Sequence, residues 1–158
     1  MALLALCFLV PVALTWGFYA AEQQTVQRPA RVNLLEPVIP AAGLQYLIDD
    51  NRALDRKYHR VAGWVLDPAN DIDWLRPSLL VVAPDGKAVE FRTNIQRRTD
   101  LPRALASERQ NGIAGFEVRM KTRYLPAGEP LKLYLVVHRQ GRKEVIDTGS
   151  ALASGGPR

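Results

Sequence analysis

The chain has a single cysteine, Cys7, close to its N-terminus. From Glu22 onward there is none, so that part forms no internal disulfide and no cysteine-based zinc site. Histidine is nearly as scarce, with only His59 and His138. No H-x-x-x-H pair, no G-x-S-x-G elbow and no glycine-rich phosphate loop occurs. These gaps take away the common metal, nucleophile and nucleotide signatures. The resulting expectation is a protein that is not an enzyme and holds no cofactor. The most informative absence is charge. Residues 1–21, MALLALCFLVPVALTWGFYAA, contain no Lys, Arg, Asp or Glu. All 21 Lys/Arg and all 16 Asp/Glu follow them.

That division predicts two objects joined end to end. From Leu3 to Ala21 the apolar run is 19 residues. A helix of that length spans roughly 28 Å, near the hydrocarbon thickness of a bilayer. Pro11 would kink it, which spanning helices tolerate. Trp16 and Tyr19 lie near its end, where amphipathic rings favour the interface. The rival is a cleaved secretory signal, but no basic n-region precedes the run. Phe18 and Tyr19 spoil a small-x-small site before Ala20 and Ala21, and Thr15-Trp16-Gly17 is a weak internal one. An uncleaved single-pass anchor is therefore the favoured reading. Arg28 and Arg31 follow the run and none precedes it, which by the positive-inside bias keeps the rest cytoplasmic.

The net charge of +5 belongs to residues 22–158, where 16 Arg outnumber 5 Lys. Arginine suits carboxylates, phosphates and protein interfaces. The charges are scattered and no polybasic stripe forms, so nucleic acid is not an expected partner. Residues 22–43 contain Pro29, Pro37 and Pro40 and read as an extended linker. Within it Val32 to Ile39 is unusually apolar, which makes Leu34, Leu35, Val38 and Ile39 candidates for contact with a neighbouring membrane protein. Residues 149–158 read as a flexible tail.

Between them, residues 44–148 read as one all-β domain, a small antiparallel β-sandwich with one short helix. His59–Leu66 is rich in β-formers and ends at Asp67-Pro68. Ser78–Ala83 and Ala88–Thr93 flank an Asp85-Gly86 hairpin turn. Gly115–Met120, Leu131–Val137 and Lys143–Ile146 give further strands, the last two separated by a turn at Gly141. Trp64 is expected in the core, against the opposite sheet. Asp100–Arg109 is the one helical stretch, with Asp100 as cap and Pro102 in the first turn. Leu44–Leu54 fits helix or strand and is read as a strand.

The order of landmarks resembles an immunoglobulin-like β-sandwich domain of bacterial extracytoplasmic proteins, with the order GWA-x-DP, DG, R-x-DV, GF. The matches are Tyr46-Leu47-Ile48-Asp49, Gly63-Trp64-Val65-Leu66-Asp67-Pro68, Asp85-Gly86, Arg98-Thr99-Asp100-Leu101, Gly115-Phe116 and Pro126-Ala127-Gly128. Val65 and Leu101 depart from the pattern but stay apolar. The resemblance implies an adhesive or accessory module without catalysis. It also implies a periplasmic domain on a bacterial inner-membrane anchor, against the reading of Arg28 and Arg31.

Partner-binding residues follow from exposure and chemistry. Trp74 lies in a polar loop with Asp71 and Arg76, a combination suited to a glycan or a partner's pocket. Arg92 and Arg97 are free to meet phosphate or an acidic partner. Arg98 and Asp100 read as structural. Asp67, Asn70, Asp71 and Asp73 offer clustered oxygens, but without an EF-hand glycine or distal glutamate no metal site is assigned. The function expected is a non-catalytic accessory subunit of an envelope membrane complex, bound to integral membrane proteins. A membrane-tethered glycan-binding module is the alternative.

Overall fold

In the computed structural model, residues 29–32, 39–68, 75–98, 113–139 and 141–152 are described. The uncharged segment, the helix expected over 100–109 and the tail from residue 153 lie outside them. No helix among the described residues is long and apolar enough to cross a membrane.

Among the described residues ten strands form two sheets, which makes the domain all-β and sandwich-like. They are β1 (Ala30–Val32), β2 (Ile39–Pro40), β3 (Gln45–Ala53), β4 (Tyr58–Leu66), β5 (Ser78–Val82), β6 (Ala88–Arg92), β7 (Asn94–Arg98), β8 (Ile113–Lys121), β9 (Lys132–Arg139) and β10 (Arg142–Ala151). One sheet runs β1-β6-β5-β9-β10-β2, the other β3-β4-β8-β7. Every pairing is antiparallel except the short one between β2 and β10, which corrects the expectation of a purely antiparallel sandwich. The stretch 22–43 contributes two strands to the larger sheet, one at each edge. Their brevity and Pro40 hide them from a pattern search, since two or three residues carry no periodicity.

Burial follows strand alternation. Val61 and Val65 (β4), Leu79 and Val81 (β5), Phe91 (β6), Phe116 and Val118 (β8), and Leu133, Leu135 and Val137 (β9) meet between the sheets. A second apolar cluster lies on the other face of the six-stranded sheet, built from Leu80, Ala88, Val136 and Val145. Over it, Lys143 Nζ (β10) reaches Glu90 Oε2 (β6) at 3.2 Å, bridging the two intervening strands. Long charged side chains shield apolar surface in this way while keeping their heads near water.

Turn chemistry behaves as expected at Asp85-Gly86. Gly86 takes φ of 81°, its amide donates to the Ala83 carbonyl, and Ala83 N–H donates to the Lys87 carbonyl. At the other corner of the sandwich, Tyr46 Oη donates to the Asp147 carbonyl and Asn51 Nδ2 to that of Ala151. Side chains of the edge strand β3 thus tie the smaller sheet to the backbone of β10.

Trp64 is buried, at 6% exposure, but it points away from the opposite sheet. Its strand neighbours Val61 and Val65 fill the inter-sheet core, and its cross-strand partner Leu47 is 49% exposed. The reason is Gly63, which takes the inward position. It pairs with Phe116 on β8 and faces the β3 bulge at Ile48–Asp50. A Cβ there would lie 3.0 Å from Phe116 Cζ and well inside van der Waals contact of the Leu47 carbonyl oxygen. Gly63→Ala should therefore lower stability by about 3 kcal/mol or more, through overpacking against backbone. Chemical denaturation followed by circular dichroism measures it, and a cost below about 1 kcal/mol would contradict this packing.

Candidate functional site

Three polar arrangements stand out, and none was visible in the chain order. The first crosses the outer face of the four-stranded sheet. Arg60 (β4) Nη1 donates to Asp50 Oδ2 (β3), and Nη2 donates to Glu117 Oε2 (β8) at 3.0 Å. Gln96 (β7) also donates to Glu117, and Arg119 Nε reaches its other oxygen at 2.9 Å. Side chains from all four strands therefore join a single network, two of them from β8. Glu117 is only 7% exposed, so desolvation works against its charge. The hydrogen bond from Arg60 outweighs that cost, and the carboxyl is lowered to about 2. A carboxylate held ionised this firmly donates no proton near neutral pH, which disqualifies it as a general acid.

The second arrangement centres on Arg139. Its Nη1 lies 3.1 Å from Asp67 Oδ2, and its Nη2 lies 3.0 Å from Glu144 Oε2 and 3.2 Å from the Ala42 carbonyl. Asp67 follows β4 of one sheet, while Arg139 and Glu144 flank the β9–β10 turn of the other. The guanidinium therefore ties the sheets together at one end of the sandwich. Asp67 and Glu144 are both buried, and their two negative charges converge on it. This is where the Asp-Pro of the sequence landmark goes. Asn70, Asp71 and Asp73, weighed beside Asp67 as oxygen ligands, lie outside the described residues. Among the described residues no group of three or more His, Cys, Asp or Glu is placed to hold a metal ion.

The third joins His59 and Asn51. His59 Nε2 lies 3.3 Å from Asn51 Oδ1, inside the sandwich, and burial pushes its pKa below the ordinary histidine value, against a weaker upward pull from Asp50. His138, in contrast, is exposed on the outer face of the six-stranded sheet. The two histidines do not converge.

Of the residues singled out from sequence, Trp74 and Asp71 lie outside the described set, as do Leu34, Leu35 and Val38. Ile39 is 44% exposed on the edge strand β2. Arg97 sits on β7, at the edge of the smaller sheet. Arg76 and Arg92 are brought together. Arg92 lies opposite Ser78, two residues after Arg76, and both arginines are exposed. The network around Glu117 escaped sequence reading because Glu117 and Arg119 look like the solvated face of an alternating strand. The one available signal was the alternation itself, which places Arg60, Glu117 and Arg119 on a common face once β4 and β8 are paired.

Comparison of the chain with protein-family models, with curated proteins and with solved structures finds no match.

The Glu117 network has a pH signature. Its folded pKa lies below the unfolded value near 4.5, so its stabilisation is complete above pH 4.5 and is lost as pH falls towards 2. Glu117→Gln should cost about 1–3 kcal/mol at pH 7, the range for a hydrogen bond to a charged group. The gap to wild type should close between pH 4.5 and 2. Unfolding curves for both proteins across that window test this, and a gap that does not change with pH would contradict it.

Proposed function

We propose that this protein is a non-catalytic, membrane-anchored accessory subunit of a larger cell-envelope complex, with an immunoglobulin-like domain held outside the inner membrane. The observation that carries the reading is the segment 1–21, free of Lys, Arg, Asp and Glu, followed by residues 22–158, which hold all 37 of the chain's Asp, Glu, Lys and Arg residues. An apolar run of that length suits a bilayer span. The polar clusters of the domain support the non-catalytic part. The buried carboxylates Glu117, Asp67 and Glu144 are each tied to arginine, and His59 is packed against Asn51. Groups consumed in this way hold strands together and leave little for a substrate.

The landmark order that resembles bacterial extracytoplasmic sandwich domains supports the periplasmic side. A lone anchor with an interaction domain is explained most economically by an integral membrane partner that needs the domain close to the bilayer. Purification of the full chain in mild detergent should bring down a membrane protein at fixed stoichiometry, identified by mass spectrometry. Recovery of a clean monomer would overturn the accessory-subunit reading. Binding to an envelope polysaccharide by that monomer would favour the glycan-binding module in its place.

A further inference from the structure

The outer face of the six-stranded sheet is buried, although the other sheet packs only on its inner one. Leu80 is 4% exposed there and Val136 0%. The Lys143–Glu90 pair screens part of this face. A side chain sealed completely needs atoms above it as well as beside it. No described strand supplies them, because all ten belong to the two sheets. The cluster also has a direction. It takes one residue from each of the four strands between β1 and β2: Ala88 (β6), Leu80 (β5), Val136 (β9) and Val145 (β10). Ala88 pairs with Val32 at one edge, and Val145 pairs with Pro40 at the other. An apolar diagonal therefore runs from the last residue of β1 to β2.

The two ends of that diagonal are the two ends of one piece of chain. Strand β1 closes at Val32 and β2 opens at Ile39, and residues 33–38 between them lie outside the described residues. Seven peptide steps join Val32 to Ile39, a reach of at most about 25 Å. Five strand spacings separate the edges, about 24 Å. The connection is therefore drawn nearly straight. The inner face is filled by the inter-sheet core, and a route round either end of the sheet is longer, which leaves the outer face. Val32 and Ile39 are also offset along the strands, by the five positions from Val82 back to Pro77. Across a flat sheet that diagonal would measure about 29 Å, beyond reach, so twist has to shorten it. The ion pair shows that it does. Lys143 on β10 and Glu90 on β6 are offset in the same sense, yet their side chains meet at 3.2 Å over the outer face.

We infer that the apolar diagonal on the outer face is a docking surface for the chain's own residues 33–38, which cross it from β1 to β2. The chemistry of the two sides agrees. The segment brings Leu34, Leu35 and Val38 to an apolar line, and Pro37 suits an extended crossing that has no ladder of its own. One continuous stretch then fastens both edges of the larger sheet. Leu34, Leu35 and Val38 serve this domain rather than a neighbouring membrane protein, so a membrane partner is met by another surface. The inference does not rest on the anchored reading and stands wherever residues 1–21 lie.

The test uses the full chain with Cys7→Ser, purified in detergent. A thiol is placed on the outer face by Val136→Cys, within the cluster, or by His138→Cys, exposed on the same strand. Maleimide should label the native Val136→Cys protein at least about tenfold more slowly than the His138→Cys protein, because reaction waits for local opening. Adding Leu34→Ser, Leu35→Ser and Val38→Ser should remove most of that difference, while circular dichroism shows the strands intact. Slow labelling that persists in the serine variant overturns the proposal. Fast labelling of the purified Val136→Cys chain overturns it too, and assigns the cover to a partner if membranes restore protection. A diazirine analogue of leucine at position 35 decides the matter if the serine variant unfolds. On irradiation it should crosslink within the chain, to peptides carrying Ser78–Val82 or Lys132–Arg139, as read by mass spectrometry. Crosslinks to another protein, to lipid or to a second copy of the chain overturn the proposal.

Discussion

The structure depends on a single strand, β4, that is buried on both faces. Residues Val61 to Val65 are each under 9% exposed or glycine in a sealed position. A strand in that situation has no polar face to give to water, so whatever charge lies beside it must be satisfied within the protein. Arg60 and Glu117 answer that demand on one side and Asp67 with Arg139 at the strand's end. The same burial dictates Gly63. With β3 bulged towards it and the Phe116 ring over it, only a residue lacking Cβ fits. Trp64 is then left with the outer face, where its ring adds to the sealing of the sheet, although its Nε1 finds no acceptor among the described residues.

Much of this architecture was legible in the sequence. Strands β4, β5, β6, β8, β9 and β10 follow from alternation and from the Asp-Gly and Gly turns around them, whereas β3 fits helix or strand on its pattern alone. The phase of β4 was not legible. Val61-Ala62-Gly63-Trp64-Val65 is apolar throughout, so alternation supplies no polar position from which to choose the inward face. Strand β7 was missed for the opposite reason: Asn94-Ile95-Gln96-Arg97-Arg98 has one apolar residue and looks like a loop, yet it is paired along its length with β8. An edge strand needs only one such partner and tolerates polar residues, so composition underrates it.

The candidate site divides along the same line. Exposed arginines can be read from sequence as free cations, and the fold then decides which of them are neighbours. Arg76 and Arg92 are 16 positions apart and become adjacent through the β5–β6 hairpin, whereas Arg97 departs to the other sheet. Paired charges are harder to read. Nothing distinguishes Glu117 in GFEVRM from Glu90 in AVEFR, each an acidic residue between apolar ones. In the fold Glu117 collects three side-chain donors, and Glu90 accepts from Ser78 and Lys143. Apart from Arg119, two residues from Glu117, these partners lie 12 to 57 residues away in the chain, and only the pairing of strands brings them together.

The ionic arrangements also sort the domain's cations in a way that its composition hides. A scattered net charge of +5 looks uniform along the chain. In space, the buried carboxylates are spent on Arg60, Arg139 and Lys143, the cations nearest the core and the cross-strand bridges. The arginines left without an ion pair among the described residues lie at or beside strand ends. At the end where the N-terminal chain arrives, these are Arg76, Arg92 and Arg142. The far end keeps cations without an ion pair among the described residues as well, Arg56, Lys57, Lys121, Arg123 and Lys132, beside turns that carry their own acids. Asp85 pairs with Lys87 at 2.7 Å, and Asp55 accepts from the backbone amides of Lys57 and Tyr58. Tight hairpins need Asp for their backbone geometry, and each Asp offsets a cation nearby. At the end closed by Arg139, Asp67 and Glu144 are buried in the clamp, while Arg76, Arg92 and Arg142 stay exposed. The same ion pairs that hold the two sheets together therefore decide which cations stay available at the surface.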